Sequence, residues 1–326
     1  MIKTLQFGII GLGHFGKHYA RLLQEIPGVN LVAVANKSCE VFEENEISLR
    51  DGITKSLDES EILNNNKIDC VVIATPPSTH KDLIVKSIRA GKHVLVEKPM
   101  VIGAAEAKAV EKELKKRRDL VFMVGFQYIY NDYIRYLKEH IADLGKVGYV
   151  VAENFYFGPL RKDVGCFADA GVHELSILEY LLNPGDIKKV SRSSFGVQNN
   201  KIDDFTAAAI SFKNGVKAYI AISWFMPEKS RKMTIVGDKG VAIFNDSSDE
   251  KLRIYKRVYR NNFGDQPSDF MKDLSNIPQE VPKLTVNEPL RSELEHFIHC
   301  VNTGSESMTG FKFGNEVVKK SCRIMA

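Results

Sequence analysis

The sequence predicts a two-domain α/β protein: a helix-wound parallel sheet over residues 1–125, then an α+β domain with a mainly antiparallel sheet over residues 126–326. Three observations predict it. Up to Gly125, short β-rich runs alternate with helical patterns, as strands joined by crossover helices require. Beyond Gly125, strand follows strand, with Asn214-Gly215 and Asp238-Lys239-Gly240 placed as tight turns between alternating runs. The length, 326 residues, exceeds what one hydrophobic core usually organises.

In the first domain the strands are Leu5–Ile10, Leu31–Ala35, Cys70–Thr75, His93–Val96 and Val121–Gly125. Their near-continuous apolar character suits strands buried on both faces. Between them, His80–Arg89 places Leu83, Ile84 and Ile88 at helical spacing, and Gly91 stops the helix. The second domain reads as a helix over Tyr133–Ile141, strands within Val147–Phe157 and a helix over Val172–Leu182. Strands follow at Phe205–Phe212, Val216–Trp224, Lys232–Val236, Val241–Phe244 and Lys251–Tyr255. Scattered Pro, Asn and Asp from Arg260 to Glu288 predict a long surface loop, and a helix follows from Pro289 to about Val301.

An apolar share of 44% and a charged share of 26% are those of an ordinary globular chain. The net charge of +4 gives no electrostatic footprint for nucleic acid. The basic run Lys115-Lys116-Arg117-Arg118 ends a predicted helix, where positive side chains suit the macrodipole. Cys39, Cys70, Cys166, Cys300 and Cys322 lie at neither disulfide-framework nor zinc spacing, so no metal is expected and a reduced, cytoplasmic setting is. Met1-Ile2-Lys3-Thr4 leads directly into a strand without a signal-peptide pattern, and no apolar stretch approaches a membrane span. A small-molecule partner is expected, rather than nucleic acid or membrane.

Gly11, Gly13 and Gly16 form G-x-G-x-x-G directly after the first strand and at the opening of a helix. In that context Gly11 permits a tight turn, Gly13 lets the backbone approach a pyrophosphate, and Gly16 lets helix and strand pack closely. The helix N-terminus offers unpaired N–H groups to the phosphates. This is a Rossmann dinucleotide site. The second strand ends in Asn36-Lys37-Ser38 without the acid that grips the ribose of NAD. Asn36 repels no 2′-phosphate, and Lys37 and Ser38 could bind one, which tilts the choice from NAD towards NADP. A surface lysine beside a turn asparagine is the plainer alternative.

Lys98 follows the strand ending Val94-Leu95-Val96-Glu97, and ligands of open α/β sheets bind at the carboxyl ends of strands. Asp169 and His173, four residues apart with small residues between them, share a face if helical. Oxidising a secondary alcohol needs a base, and an imidazole titrates near operating pH. Asp169 would orient that imidazole or bond a neighbouring hydroxyl, and Lys98 would favour a developing alkoxide.

Together, the glycine fingerprint, Ala74-Thr75-Pro76-Pro77-Ser78-Thr79-His80, Glu97-Lys98-Pro99 and Asp169…His173 resemble the glucose–fructose oxidoreductase/inositol dehydrogenase (Gfo/Idh/MocA) family. Tyr130-Asn131, Ser223-Trp224 with Pro227 and Arg231, and Glu288-Pro289-Leu290 with Glu293, His296 and Phe297 resemble its bacterial sugar-nucleotide dehydrogenases. The resemblance implies a large open second sheet, homodimers or homotetramers, and catalysis by Lys98, His173 and Asp169. It places His14, Phe15, Thr75, Pro76, Pro77, His80, Glu97, Lys98 and Gln127 beside the cofactor with the glycines and Asn36-Lys37-Ser38. Tyr128, Tyr156, Arg161 and Lys162 would face substrate, the two cations reaching a diphosphate. The implied activity is NAD(P)-dependent hydride transfer at a secondary alcohol of a sugar or sugar nucleotide, such as carbon 3 of a UDP-amino sugar. A free-sugar or inositol dehydrogenase is the enzymatic alternative, and a non-catalytic NADP sensor the other. The sequence departs from the pattern at Asn36, at Arg161–Phe167, and at Met325-Ala326, where a longer amphipathic helix is expected.

Overall fold

Six short strands carry the first unit: β1 (Leu5–Ile10), β2 (Val29–Ala35), β3 (Thr54–Ser56), β4 (Cys70–Ile73), β5 (His93–Glu97) and β6 (Phe122–Gly125). In the computed structural model, which describes residues 4–43, 49–158, 161, 163–197, 202–256 and 278–326, they pair parallel in the order β3-β2-β1-β4-β5-β6. Connecting helices are α1 (His14–Glu25), α2 (Glu40–Glu43), α3 (Ser60–Leu63), α4 (His80–Arg89) and α5 (Ala104–Leu114). The strand order reverses between β1 and β4, so the loops leaving those two strands diverge and open a crevice at their carboxyl ends. β3 escaped the sequence reading because three residues, two of them exposed, carry no periodic signal.

The second unit, Tyr128–Asn287 with Arg323–Ala326, is built on eight strands: β7 (Val147–Phe157), β8 (Ile187–Phe195), β9 (Phe205–Phe212), β10 (Lys217–Ser223), β11 (Phe225–Gly237), β12 (Gly240–Asn245), β13 (Leu252–Lys256) and β14 (Gln279–Glu280). Their order is β14-β13-β12-β11-β7-β10-β9-β8. All neighbours run antiparallel except β7 and β10. The Asn214-Gly215 turn joins β9 to β10 with Gly215 at φ +97°, a conformation that costs glycine nothing. β8 was missed because an edge strand facing solvent is written in polar residues, here Lys-Lys-Val-Ser-Arg-Ser-Ser.

Alternation along β9 and β10 buries one face of this sheet and leaves the other open. Helices α6 (Asp132–His140) and α7 (Val172–Leu182) belong to the same unit, and α7 is buried nearly all round. On the open face, Tyr219 of β10 stands opposite Val151 of β7 and Ala209 of β9; Tyr149 lies two residues before Val151. Tyr149, Val151 and Tyr219 remain 42%, 45% and 49% exposed, which is unusual for side chains of that size in one patch.

The chain then returns. Helices α8 (Pro289–Thr303) and α9 (Phe311–Met325) follow, and Glu288–Cys322 packs with the first unit. The first unit runs to Gln127 and takes back Glu288–Cys322, whereas the sequence reading places everything beyond residue 125 in the second domain. The cause is specific: Val124 of β6 donates its N–H to Thr309 O, the Thr309 hydroxyl donates back to Val124 O, and Phe7, Phe122 and Phe126 pack on Phe297, Phe311 and Phe313. The loop expected from Arg260 lies outside the described residues up to 277. Among the described residues no helix is long and apolar enough to cross a membrane. Each of Lys115, Lys116 and Arg117 at the end of α5 is paired with a neighbouring carboxylate.

The attachment predicts that Thr309→Val, which keeps the shape and removes one of the donors to the buried Val124 carbonyl while Phe126 N–H remains, costs about 0.5–1.5 kcal/mol in denaturant unfolding. A neutral result would mean that this bond does not anchor the returning segment.

Candidate active site

The glycine loop builds its cradle by steric exclusion. Gly11 sits at φ +95°, and a Cβ there would lie 2.6 Å from Ala74 O. A Cβ on Gly16 would stand 2.0 Å from Gly11 O, so the helix can approach the loop only with glycine. Gly13 is different: a Cβ would meet nothing within 4 Å, so its absence leaves room for something outside the fold. The amide end of α1 opens at His14, with the dipole and unpaired N–H groups that suit a pyrophosphate.

Beside this cradle lies a cavity of about 500 Å³, within the range of small-molecule sites. Gly11, Gly13, Asn36, Lys37, Thr75 and Pro76, which the sequence offered for a cofactor, line it together with Leu57, Glu59, Asp82 and Lys86, which it did not offer. Lys86 and Glu59 pair at 2.9 Å on its wall. The open space at Gly13 and the amide end of α1 fit a dinucleotide, whose phosphates they would hold.

The other expected cofactor residues divide. Asn36 lines the cavity, yet its side chain is used internally: Oδ1 accepts Leu12 N–H at 3.0 Å, and Nδ2 donates to Ser38 O at 3.0 Å. It fastens the glycine loop to the end of β2. Lys37 is exposed, and the Ser38 hydroxyl donates to Glu40. His14 is exposed at the loop, its ring edge-on to Phe15 and His18. Pro77 is buried in a turn of 3₁₀-helix, and Gln127 begins another after β6.

His80 and Glu97, expected beside the cofactor, face inward. His80 is fully buried, with Nδ1 2.8 Å from Pro99 O and Nε2 2.9 Å from Thr75 O, so it ties two rim loops together. The Glu97 carboxylate accepts from the Tyr19 hydroxyl and from Lys98 N–H. Lys98 itself is half-buried at the end of β5.

In the second unit, a π-helical turn over Phe167–Gly171 runs into α7. Asp169 belongs to that π-helical turn and His173 to the first turn of α7, four residues on. Single π-turns of this kind concentrate at functional sites. His173 is 5% exposed, and its ring meets Tyr128 edge-on at 5.1 Å. The Arg231 guanidinium covers the other partner, 4.1 Å from the centre of the Tyr128 ring, and approaches Glu174 at 3.6 Å. Glu174 is fully buried; burial pushes its pKa up to about 7, against the lowering pull of Arg231 and Asn154. Burial likewise pushes Tyr128 up to about 12.

Arg161 differs from expectation. Its guanidinium bonds both oxygens of Asp163, at 3.0 and 3.1 Å, and reaches Asp169 at 3.5 Å. It is thus engaged with two carboxylates of its own unit. Lys162 lies outside the described residues. The Tyr156 hydroxyl accepts from Trp224 Nε1 at 2.8 Å. The sequence singled out Arg231 by resemblance without a role and missed Glu174, whose signal was a carboxylate in a helix rich in Leu, Ile and Val.

The model of the Gfo/Idh/MocA oxidoreductase family, NAD-binding Rossmann fold, matches residues 5–126, and that of its C-terminal domain matches 134–243. The chain belongs to this family. It is an oxidoreductase with an NAD-binding Rossmann domain. It is 26% identical over 325 residues to scyllo-inositol 2-dehydrogenase (NAD(+)) of Bacillus subtilis, covering 93% of this chain and 88% of that one. It is 28% identical over 300 residues to UDP-N-acetylglucosamine 3-dehydrogenase of Acidithiobacillus ferrooxidans, covering 91% and 88%. The solved structure of the latter superposes with a TM-score of 0.81 at 24% identity, over 99% of this chain and 97% of that one.

The cradle predicts a contrast between two alanines. Gly13→Ala enters open space and costs no more than about 1 kcal/mol of stability, yet weakens NADH or NADPH binding at least about tenfold. Gly16→Ala collides with Gly11 O and lowers stability by about 1–3 kcal/mol. Thermal melts with a fluorescence titration of cofactor separate the two; equal binding by Gly13→Ala would remove Gly13 from the phosphate site.

Proposed function

We propose that this oxidoreductase transfers hydride between a nicotinamide and a secondary alcohol on a polyhydroxylated ring, a free sugar or polyol. What carries the reading is that one chain keeps both a phosphate cradle open at Gly13 and a buried imidazole, His173, fixed against Tyr128. The bound cofactor supplies the hydride acceptor. His173 takes the hydroxyl proton, and Lys98 favours the alkoxide as charge develops. Asp169, oriented by Arg161, accepts a hydrogen bond from a neighbouring ring hydroxyl.

Arg161 argues against a diphosphate at that point, since such a substrate would have to displace two carboxylates. The second reading, carbon 3 of a UDP-amino sugar, draws support from the relative that is a UDP-N-acetylglucosamine 3-dehydrogenase. For the cofactor we assign the adenosine 2′ position to Lys37. With Asn36 engaged internally and no acid at the end of β2, a cation there favours NADP over NAD. Assembly into a homodimer or homotetramer is proposed through the open face around Tyr149, Val151 and Tyr219.

His173→Ala and Lys98→Ala are expected to bind cofactor as the wild type does and to lose at least about a hundredfold in turnover. Near-normal rates in both would refute the mechanism. A thermal-shift titration with NAD and NADP, each with myo-inositol or UDP-N-acetylglucosamine, assigns cofactor and substrate class. A larger NADP shift supports Lys37, and a further shift with the UDP-sugar alone moves the substrate to the second reading. For assembly, Tyr219→Glu should lower the mass seen by light scattering; an unchanged oligomer, or a monomeric wild type, rejects that face.

A further inference from the structure

Tyr19, Glu97 and Glu293 meet inside the first unit, arriving from α1, β5 and α8. Tyr19 and Glu293 are 0% exposed and Glu97 is 7% exposed. The Tyr19 hydroxyl lies 2.9 Å from Glu97 Oε1 and 2.7 Å from Glu293 Oε1. A phenol has one proton, so it can donate to one of the two carboxyl groups. At the other contact the proton must come from the carboxyl itself, because two unprotonated oxygens at that distance repel. Two ionised carboxylates on one buried hydroxyl would also repel each other in a medium that screens poorly.

The surroundings decide which carboxyl is neutral. Glu97 has a donor on each oxygen, Tyr19 on Oε1 and Lys98 N–H on Oε2 at 3.1 Å, which suits an anion. Glu293 Oε2 has no hydrogen-bond partner among the described residues. A neutral acid tolerates one bare carbonyl oxygen far better than a buried anion does. Burial first, then the charge of Glu97, push the Glu293 carboxyl well above the usual carboxylate range, against the opposing bond to Tyr19. The titratable groups that face Glu293 are Glu97 of β5 and Tyr19 of α1. Gly125 of β6 closes the site and brings no charge; a Cβ there would lie 3.3 Å from Glu293 Oε1.

We infer that Glu293 is a neutral carboxylic acid that donates its proton to Tyr19, which donates to Glu97, which holds the Lys98 amide. Glu293 is thereby a positioning residue for the Lys98 segment. The proton on Glu293 stands independently of the reaction proposed above, whereas its consequence for turnover rests on that reading.

The test compares the full chain with Glu293→Gln, whose amide can donate to Tyr19 as the acid does. In the infrared at about pH 8 the wild type should show a protonated-carboxyl C=O band that the variant lacks. A folded-state pKa raised above the unfolded value means that the unfolded chain releases this proton first. The stability Glu293 contributes is therefore full below the ordinary carboxylate range and declines as pH rises towards its folded pKa. Raising the pH from about 5 to about 9 should thus lower the melting temperature of the wild type more than that of Glu293→Gln. Glu174 adds a decline of the same sign in both proteins and cancels in the difference. If Glu293→Gln does not fold, Tyr19→Phe should move the same band to higher frequency by removing its acceptor. No band difference, parallel stability curves, or an unmoved band in Tyr19→Phe would overturn the proposal. With NAD or NADP and myo-inositol as probes, Glu293→Gln should keep turnover within about threefold at neutral pH and hold it further into alkali than the wild type. A band and stability difference with no turnover on any sugar or polyol supports the proton on Glu293 and overturns the catalytic reading instead.

Discussion

The rim of the first unit hangs on one imidazole. His80 stands between the carbonyl oxygens of Thr75 and Pro99, and so fixes the loop after β4 to the loop after β5. The first of these loops lines the cofactor cavity, and the second follows Lys98. Loops leaving a parallel sheet have no ladder of their own, and their buried backbone groups must find partners elsewhere. Asn36 solves the same problem one strand over, accepting Leu12 N–H, and Glu97 solves it for Lys98 N–H. The carboxyl edge of the sheet is thus held by polar side chains that bond backbone groups of the rim.

The second unit meets the same demand at greater electrostatic cost. Glu174 and Arg231 are both buried, and desolvating two ions offsets much of their mutual attraction. Their pairing is therefore weak as a source of stability. Its consequence is positional: Arg231, held by Glu174, covers the face of Tyr128, and Tyr128 abuts His173. The carboxylate next to His173 in the chain thus points to a different partner in the same cluster.

Much of this was legible in the sequence, because strands and helices write their burial as a period. β1, β7, β9, α4 and α7 lie where apolar spacing placed them, and the glycine loop announced itself by its position between β1 and α1. What was not legible has a common cause. The partner of a buried polar group lies wherever the fold brings it: Tyr19 and Glu293 are 274 residues apart, and Asn36 and Leu12 are 24. Nothing local marks Glu97 as facing inward, or Arg161 as already clamped by Asp163 and Asp169. The π-helical turn at Asp169 likewise leaves no periodic trace in five residues.

The two units differ in what recognition is made of, and this bears on substrate. The shape of the loop at Gly11, Gly13 and Gly16 is a property of the backbone, secured by what side chains are absent. Such a site tolerates wide drift elsewhere, which fits a shared fold at 26% and 28% identity with relatives named for different substrates. On the proposed reading, substrate recognition in the second unit is by contrast a property of side chains, so a single pairing can redirect it. Arg161 bonds both oxygens of Asp163 and reaches Asp169, which ties these carboxylate acceptors together in one cluster. Carboxylate oxygens suit the hydroxyl donors of a polyol better than a diphosphate, whose oxygens are acceptors too.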